Sequence, residues 1–197
     1  GSFRESLSAW LETTLTADIY VTVDPTTPLV LDSATLGALR SISGVAGVSL
    51  ARSTVLPTRI GEIAIRALEP GPRGFGLTIV NGDRGVALTA LKEGRGVVAS
   101  ERLMFARQLS VGAELELPGA SGPQRLPIVG AYRDFNTGNY TIVMSLERYR
   151  DGWNDTGITG FGVDLAKGAD DARVEEEVRK LLGDETGVRI RSTSGIE

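Results

Sequence analysis

The sequence predicts an α+β fold in which two β-α-β units flank a β-rich middle segment. A strand–helix–strand pattern occupies residues 17–55 near the start of the chain. The same order of elements returns near the end, in residues 160–194. Between them, turn signals separate short strand-like runs. Two β-α-β units can share one sheet in a split arrangement, and we expect them to do so here.

The first unit opens with ADIYVTV at residues 17–23, a run rich in β-branched and aromatic residues that is typical of a strand. Asp32 or Ser33 can cap the short helix that follows, and Gly44 ends it. GVSLARSTV at residues 47–55 is the second strand of the unit.

The second unit repeats this order. GFGVDLA at residues 160–166 is a strand, Asp170 caps a helix that Gly183 ends, and GVRIRSTS at residues 187–194 is the closing strand. The buried stripe of the helix is predicted to consist of Val174, Val178, Leu181 and Leu182.

The middle segment has a different pattern. Asn81-Gly82, between apolar runs in residues 76–89, predicts a β-hairpin. Ser100 and Ser145 can cap short helices. Further strand-like runs lie at residues 59–69, 96–100, 111–118 and 125–132.

These patterns divide the chain into two lobes. Residues 1–55 and 157–197 are predicted to form one discontinuous lobe, and residues 56–156 a β-rich mixed lobe inserted between them. Residues 1–16 contain an amphipathic helix, which either packs on the domain or continues a membrane helix. Its apolar stripe consists of Phe3, Leu7, Trp10, Leu11 and Leu15.

The composition excludes several kinds of site. The 197 residues contain no cysteine, so disulfides and cysteine nucleophiles are excluded. They also contain no histidine, the commonest metal ligand and the usual general base near neutral pH. The net charge of -4 does not favour nucleic-acid binding, which depends on phosphate neutralisation. We therefore predict no catalytic residue, no bound metal and no cofactor.

Two local motifs are compatible with ligand binding but are better explained as turns. Gly94, Gly96 and Ala99 form a G-x-G-x-x-A pattern, yet β-branched Val97 and Val98 follow the glycines where a dinucleotide site needs a helix.

The loop RDFNTGNY offers Asp134, Asn136 and Asn139 as oxygen ligands. Calcium needs six or more oxygens. A turn in which these side chains bond their own backbone is therefore favoured.

The aromatic side chains give the only candidates for a contact surface. Most of them, Phe105 included, stand in apolar-patterned positions and are predicted to pack in the core. Phe135, Tyr140 and Trp153 flank glycine- and asparagine-rich loops instead. These three are predicted to form an exposed partner-contact patch.

The order of the elements resembles the extracytoplasmic domain of FtsX-like, MacB-type ABC-transporter permeases. GVVASERLMFARQLSVGAELELP followed by RLPIVGAYRDF is similar to the family's run of V-S-E, L-x-V-G-D-x-L-x-L and V-x-G, with Ala113 where the family often has an acid. FRESLSAWLETTLTADIYV is similar to the family's stretch after a membrane helix, and LRSISGVAGVSLAR to its helix-to-strand join. GFGVDLAKGADDARVEEEVRKLL is similar to its closing β-α-β unit.

The resemblance implies a porter-like lobe made by the flanking units and a smaller mixed lobe inserted between them. It implies a non-enzymatic domain on the extracytoplasmic, periplasmic side of the bacterial inner (cytoplasmic) membrane. The domain would couple cytoplasmic ATP hydrolysis to the movement or release of a hydrophobic, lipid-linked or peptide substrate, or to a periplasmic partner. Its other implied partners are its own transmembrane helices, a separate cytoplasmic ATPase and a second permease copy.

Two other hypotheses stay open. One is a freestanding extracytoplasmic module that binds a small molecule or peptide. The other is a hydrolase built on carboxylates, which needs two carboxyl groups facing each other across a cleft.

The permease hypothesis also predicts geometry. Both ends of the chain should lie on one side of the domain. The stripe of Phe3, Leu7, Leu11 and Leu15 should be partly unpacked, because it would face a neighbouring helix.

Overall fold

The computed structural model describes residues 10–135, 138–183 and 187–193. In chain order its elements are α1 (described for residues 10–14), β1 (Ile19–Thr22), α2 (Ser33–Arg40), β2 (Val45–Thr58), β3 (Gly61–Leu68), β4 (Ile79–Asn81), α3 (Arg84–Lys92), β5 (Val97–Ser100), α4 (Glu101–Ala106), β6 (Glu114–Gly119), β7 (Gly122–Tyr132), β8 (Tyr140–Ser145), α5 (Leu146–Trp153), β9 (Gly160–Leu165), α6 (Asp171–Leu182) and β10 (Arg189–Ser192). Among these described helices, none combines the length and the apolar character that crossing a membrane requires.

The chain folds into two compact units. The first contains the described residues up to Ala51, the segment Pro70–Gly76 and the described residues from Gly157 onward. The second contains Arg52–Glu69 and Leu77–Thr156. The predicted division into separable lobes stays a prediction.

The sheet of the first unit has the strand order β10-β1-β9-β2. All neighbours are antiparallel: Ile19 in β1 lies opposite Ser192 in β10 and Val163 in β9, and Val163 also lies opposite Val48 in β2. The units β1-α2-β2 and β9-α6-β10 therefore interleave their strands, as the split arrangement requires. This topology confirms the predicted α+β fold class.

The helix of the closing unit begins at the predicted cap. The Asp170 carboxylate accepts from the backbone N–H of Ala172 at 3.1 Å and of Arg173 at 3.3 Å. Along the helix Val174, Val178 and Leu182 are buried. Leu181 was predicted to belong to this stripe, but it is 39% exposed. It precedes Leu182 by one residue, or about 100° of helical rotation, so its side chain turns away from the core.

The described end of the first helix is packed, which corrects one expectation. Leu11 and Leu15 were expected to be partly unpacked, yet they are buried, as is Trp10. The first unit itself covers this part of the stripe. Phe3 and Leu7 lie outside the described residues.

Part of this cover comes from the segment Pro70–Gly76, here called the strap. Phe75 is buried and forms an isolated β-bridge with Leu15. The backbone N–H of Gly76 donates to the carbonyl of Thr14 at 2.7 Å. The strap therefore holds the point where α1 ends.

An ion-pair network fixes the strap to the sheet. Arg73 Nη2 lies 2.8 Å from Asp18 Oδ2 and 3.4 Å from Asp164 Oδ1. Asp164 is only 3% exposed, and its burial raises the pKa of the carboxyl above its ordinary value, an effect that Arg73 opposes and Asp18 reinforces. Asp18 is also held by the backbone, since its Oδ2 accepts from Leu165 N–H at 2.8 Å.

The sheet of the second unit has the order β2-β3-β8-β5-β7-β4, and β6 forms a hairpin with β7. The pairs β3–β8 and β5–β7 are parallel. Parallel neighbours need crossover connections, so this unit contains more than the hairpins that its pattern predicts. Its strand β8, which the sequence analysis did not predict, lies inside the sheet with residues 141–145 buried.

The predicted hairpin at Asn81-Gly82 is wrong. Gly82 has a φ of 91°, and Asp83 then caps α3 by accepting from the backbone N–H of Val86 at 2.9 Å. An aspartate directly after the turn supplies a helix cap that a second strand does not need. The buried residues of α3 then recur at helical spacing: Ala87, Ala90 and Leu91.

The glycine pattern before β5 has a structural role. Gly94 adopts a φ of 73° in the turn, as predicted. A Cβ on Gly96 would lie 2.6 Å from the carbonyl oxygen of Pro127. Glycine is needed at residue 96 because the neighbouring backbone approaches it so closely.

Candidate partner-contact surface

The short helix α4 divides its side chains between the core and the surface. The Ser100 hydroxyl caps it by accepting from the backbone N–H of Leu103 at 3.3 Å. Leu103 and Met104 are buried, and the helix packs on β5, β7 and β8. Arg102 and Phe105 are exposed, Phe105 to 88%.

Tyr140, the first residue of β8, contacts two arginines. The Arg102 guanidinium carbon is 5.3 Å from the centre of the Tyr140 ring, and that of Arg107 is 5.5 Å away. Backbone carbonyls hold both arginines: Arg102 donates to Gly138 at 3.3 Å, and Arg107 donates to Ile60 at 2.9 Å. These distances are those of cation–π contacts.

A groove of about 850 Å³ lies beside α4. Its lining includes an ion pair, in which Arg133 Nε lies 3.2 Å from Glu101 Oε1. The apolar lining includes Val80, Met104, Phe105 and Leu109. Val80 is 38% exposed and Phe105 88% exposed, so part of the apolar lining faces solvent. Polar side chains, among them Asn81, Gln108 and Ser110, line the rest of the groove.

The three residues of the predicted patch have different environments. Phe135, just after β7, is 75% exposed. Tyr140 is partly exposed beside its two arginines. Trp153 stacks on Tyr149 with ring centres 5.4 Å apart, and its Nε1 donates to the Pro118 carbonyl at 3.0 Å. These contacts give Trp153 a packing role, and the patch as a whole stays a prediction.

A buried polar cluster in the same unit joins β7 and β8. Thr141 Oγ1 donates to Asp134 Oδ2 at 2.6 Å, and the Tyr132 hydroxyl is hydrogen-bonded to Thr141. The Arg66 guanidinium donates to the Ser53 hydroxyl. Burial raises the pKa of the Tyr132 phenol above its ordinary value and lowers the pKa of Arg66.

This cluster does not have the properties of a reaction centre. Tyr132 is 3% exposed and Thr141 is 1% exposed, so a substrate has no access to them. Its hydrogen bonds connect the end of β7 with the start of β8 across the intervening strand β5, which suits a structural role.

Three of the carboxylates that a hydrolase could use have structural partners. Asp83 caps α3, Glu101 pairs with Arg133, and Asp155 pairs with Arg52 at 2.9 Å. Within the described ranges there is also no group of three or more acidic side chains placed to hold a metal ion.

Phe105, Arg102 and Arg107 were missed by the sequence analysis, which expected Phe105 in the core. The available signal was the cap at Ser100. It makes Leu103 and Met104 the inward pair of a six-residue helix, which leaves Phe105 on the outside.

The fold is similar to that of extracytoplasmic domains of ABC-transporter permeases, including a MacB protein. The chain superposes on the periplasmic region of MacB from Actinobacillus actinomycetemcomitans with a TM-score of 0.61 and 11% identity, covering 93% of this chain and 92% of that one. It superposes on the extracellular domain of the ABC-type transporter YknZ from Gram-positive bacteria with a TM-score of 0.60 and 12% identity, covering 89% and 99%. It superposes on a domain of a permease protein from Porphyromonas gingivalis with a TM-score of 0.51 and 17% identity, covering 89% of this chain and 90% of that one. At such identities the likeness shows the fold alone.

The sequence itself is similar to an uncharacterised ABC transporter permease protein of Mycobacterium tuberculosis. The two are 28% identical over 208 residues, an alignment that covers 100% of this chain and 24% of that protein. The chain thus spans about a quarter of the relative's length. No family model matches the chain. The expected resemblance to an FtsX-like, MacB-type extracytoplasmic domain is confirmed.

Proposed function

We propose that this chain is the extracytoplasmic domain of an ABC-transporter permease and that it is not an enzyme. The observation that carries the proposal is the similarity to a permease along the whole chain, together with the MacB-type fold. The carboxylates named above have structural partners, and the Tyr132 cluster is closed to substrates. These observations favour mechanical and recognition roles over catalysis.

The two ends of the described chain support this proposal. Arg191 Nη1 in β10 lies 3.3 Å from Glu12 Oε2 in α1. The backbone N–H of Thr193 donates to the Asp18 carbonyl at 2.9 Å. A domain held between two membrane helices needs its ends together, which is the arrangement found in the first unit.

In the proposed permease, ATP hydrolysis by a separate cytoplasmic ATPase would reach this domain through its own transmembrane helices, beside a second permease copy. The domain would then help to move or release a hydrophobic, lipid-linked or peptide substrate, or engage a periplasmic partner. We propose that Phe135 and Tyr140 belong to its contact surface. Their exposure and the neighbouring arginines support this role.

The test is the complete gene and the topology of its product. We expect an apolar run of about 20 residues on each side of the sequence studied. Protease added outside spheroplasts should digest the domain, whereas inside-out membrane vesicles should protect it. A signal peptide and a stop codon enclosing this chain alone would instead identify a freestanding binding module.

A further inference from the structure

The strap contains a turn that presents Arg73 to the sheet of the first unit. The backbone N–H of Gly74 donates to the carbonyl of Gly71 at 2.9 Å, which closes the turn. Pro72 occupies its second position, where the proline ring fixes the φ angle. This ring also lies against β2, since a Cβ on Gly47 would be 3.7 Å from it. An ordered turn therefore holds the backbone of Arg73.

The same turn covers the buried carboxylate of Asp164 in β9. A Cβ on Gly71 would lie 3.0 Å from Asp164 Oδ2 and 3.2 Å from the hydroxyl oxygen of Ser49 in β2. Asp164 is 3% exposed, and within the described ranges neither of its carboxylate oxygens accepts a hydrogen bond. Its ion pair with Arg73, at 3.4 Å, compensates for this only in part. Burying a polar group without hydrogen bonds is unfavourable, so water reaching Asp164 would offset part of the cost of opening the strap.

Most of the strap is accessible to solvent. Within this segment, which the structure describes in full, Phe75 alone is buried. The side chain of Arg73 keeps 46% of its surface exposed. A single backbone hydrogen bond is recorded from the strap to α1, that from Gly76 to Thr14. Segments with little buried apolar surface open locally at a lower free energy than the whole fold.

The buried end of the strap is also the part that covers α1. Phe75 forms its β-bridge with Leu15, where α1 ends. Leu15 and Trp10 are both buried, and so is the indole nitrogen of Trp10. Most of the stability of a helix in a protein comes from packing of its apolar face. Loss of Phe75 and of the bond to Thr14 would therefore detach α1.

We propose that the strap is a reversible clasp on α1. Closed, it joins α1 to the sheet of the first unit through Phe75 and Arg73. Open, it releases α1 while the strands of that sheet stay paired. In the proposed permease, a pull on α1 from its membrane helix would act on this clasp, and both ends of the strap continue along the chain into the second unit. That setting rests on the proposed function, whereas the clasp is a property of the chain itself.

Native-state hydrogen exchange of the isotope-labelled chain, followed by NMR, tests the clasp. The reporter is the buried indole N–H of Trp10, whose exchange with solvent requires α1 to detach. The sequence has two tryptophans, so Trp153→Phe identifies the signal. The reference is the backbone N–H of Val23, which donates to the Thr159 carbonyl at 3.0 Å where β1 ends and β9 begins.

Arg73→Gln removes the cation of the clasp. We expect exchange of the Trp10 indole to become about tenfold faster, the factor that losing one charged hydrogen bond gives, while exchange at Val23 stays unchanged. The matched control is Arg95→Gln, because Arg95 is 57% exposed and lies 2.9 Å from Glu93 in the turn after α3. This control should change neither rate.

A disulfide provides the converse test. The chain has no cysteine, so in the double variant Ser49→Cys, Gly71→Cys a disulfide within one chain can join only β2 and the strap. A Cβ on Gly71, 3.2 Å from the Ser49 oxygen, lies at a distance that suits a disulfide. Added to Arg73→Gln, the oxidised pair should return the exchange of the Trp10 indole to the wild-type rate, and dithiothreitol should reverse this effect.

Equal acceleration at Trp10 and Val23 would overturn the proposal, since α1 would then detach only when the sheet unfolds. So would an unchanged Trp10 rate in Arg73→Gln, or a disulfide that fails to form or to slow the exchange. None of these results bears on the permease assignment, which is tested by the gene and the membrane topology. A freestanding module could contain the same clasp.

Discussion

Burial and ion pairing shift the pKa of the Asp164 carboxyl in opposite directions. Burial raises its pKa from the ordinary 3.8, Arg73 opposes that effect, and the direction that prevails is upward. The folded state therefore keeps the proton to a higher pH than the unfolded state does. Stability is lost as the pH rises from about 4 through the raised pKa.

We predict that Asp164→Asn flattens the dependence of the melting temperature on pH between about pH 4 and 7. An amide does not lose a proton, so the cost of the buried charge disappears at the upper end of this range. The control is Asp151→Asn, which changes an exposed carboxylate on α5. Thermal unfolding monitored by circular dichroism measures both variants, and parallel curves for wild type and Asp164→Asn would contradict the prediction.

The hydrogen bond between Tyr149 and Asp155 provides a second prediction about a single residue. Its hydroxyl donates to Asp155 Oδ2 at 2.6 Å, and Arg52 Nε binds the same oxygen at 2.9 Å. Tyr149→Phe should lower the free energy of unfolding by about 1–3 kcal/mol, because the bond to a charged acceptor is lost. Urea denaturation measures this change in the free energy of unfolding. Tyr140→Phe, which keeps the ring against its arginines, should change the stability by less than about 0.5 kcal/mol.

Single residues also show how far the sequence could locate the proposed contact surface. Phe135 and Tyr140 were predicted from their glycine- and asparagine-rich surroundings. Arg102 and Arg107 were not, since their role depends on a ring 33 or more positions away in the chain. Such contacts have no local sequence signal.

Among the elements, the strap depends on a glycine for its close packing against α1. A Cβ on Gly76 would lie 2.5 Å from the Thr13 carbonyl oxygen. Gly76→Ala should therefore displace the strap and destabilise the chain by about 1–3 kcal/mol, the usual cost of overpacking. Displacement should also free Arg73 from Asp18 and Asp164, so trypsin should cleave after Arg73 faster than in wild type.

The matched control is Gly37→Ala in α2, where nothing lies within 4 Å of the added Cβ. It should stabilise the chain by about 1 kcal/mol, because alanine favours helix more than glycine does. Mass spectrometry of timed tryptic digests identifies the bond cut. Slow cleavage after Arg73 in Gly76→Ala would show that the strap does not depend on this glycine.

The elements also show which sequence patterns were sufficient to predict local structure. Caps at Ser100, Ser145 and Asp170 were predicted and are found, and of the two alternatives Asp32 and Ser33 the structure has Asp32. Caps are predictable because a cap is a contact within three residues. The hairpin predicted at Asn81-Gly82 did not form, because β4 pairs with the distant strand β7 and not with the segment that follows the turn. Asp83 offered α3 a local cap instead.

For the whole molecule, the composition makes the firmest prediction. A chain without cysteine or histidine should purify without stoichiometric zinc, copper or iron, since these metals depend on such ligands. Elemental analysis by mass spectrometry measures the metal content, and treatment with EDTA should leave the melting temperature unchanged. A stoichiometric metal, or a loss of stability with EDTA, would refute this.

The sequence by itself determined the class of fold, the order of the flanking β-α-β units and the absence of histidine and cysteine chemistry. These depend on composition and on periodicities within single elements, which are local. Only the tertiary structure decided the strand order β10-β1-β9-β2, the position of β8 inside its sheet and the attachment of the strap to α1. It also decided that Arg102 and Arg107 meet at Tyr140. These features join residues far apart in the chain, and their stability comes from packing and pairing that no single segment contains.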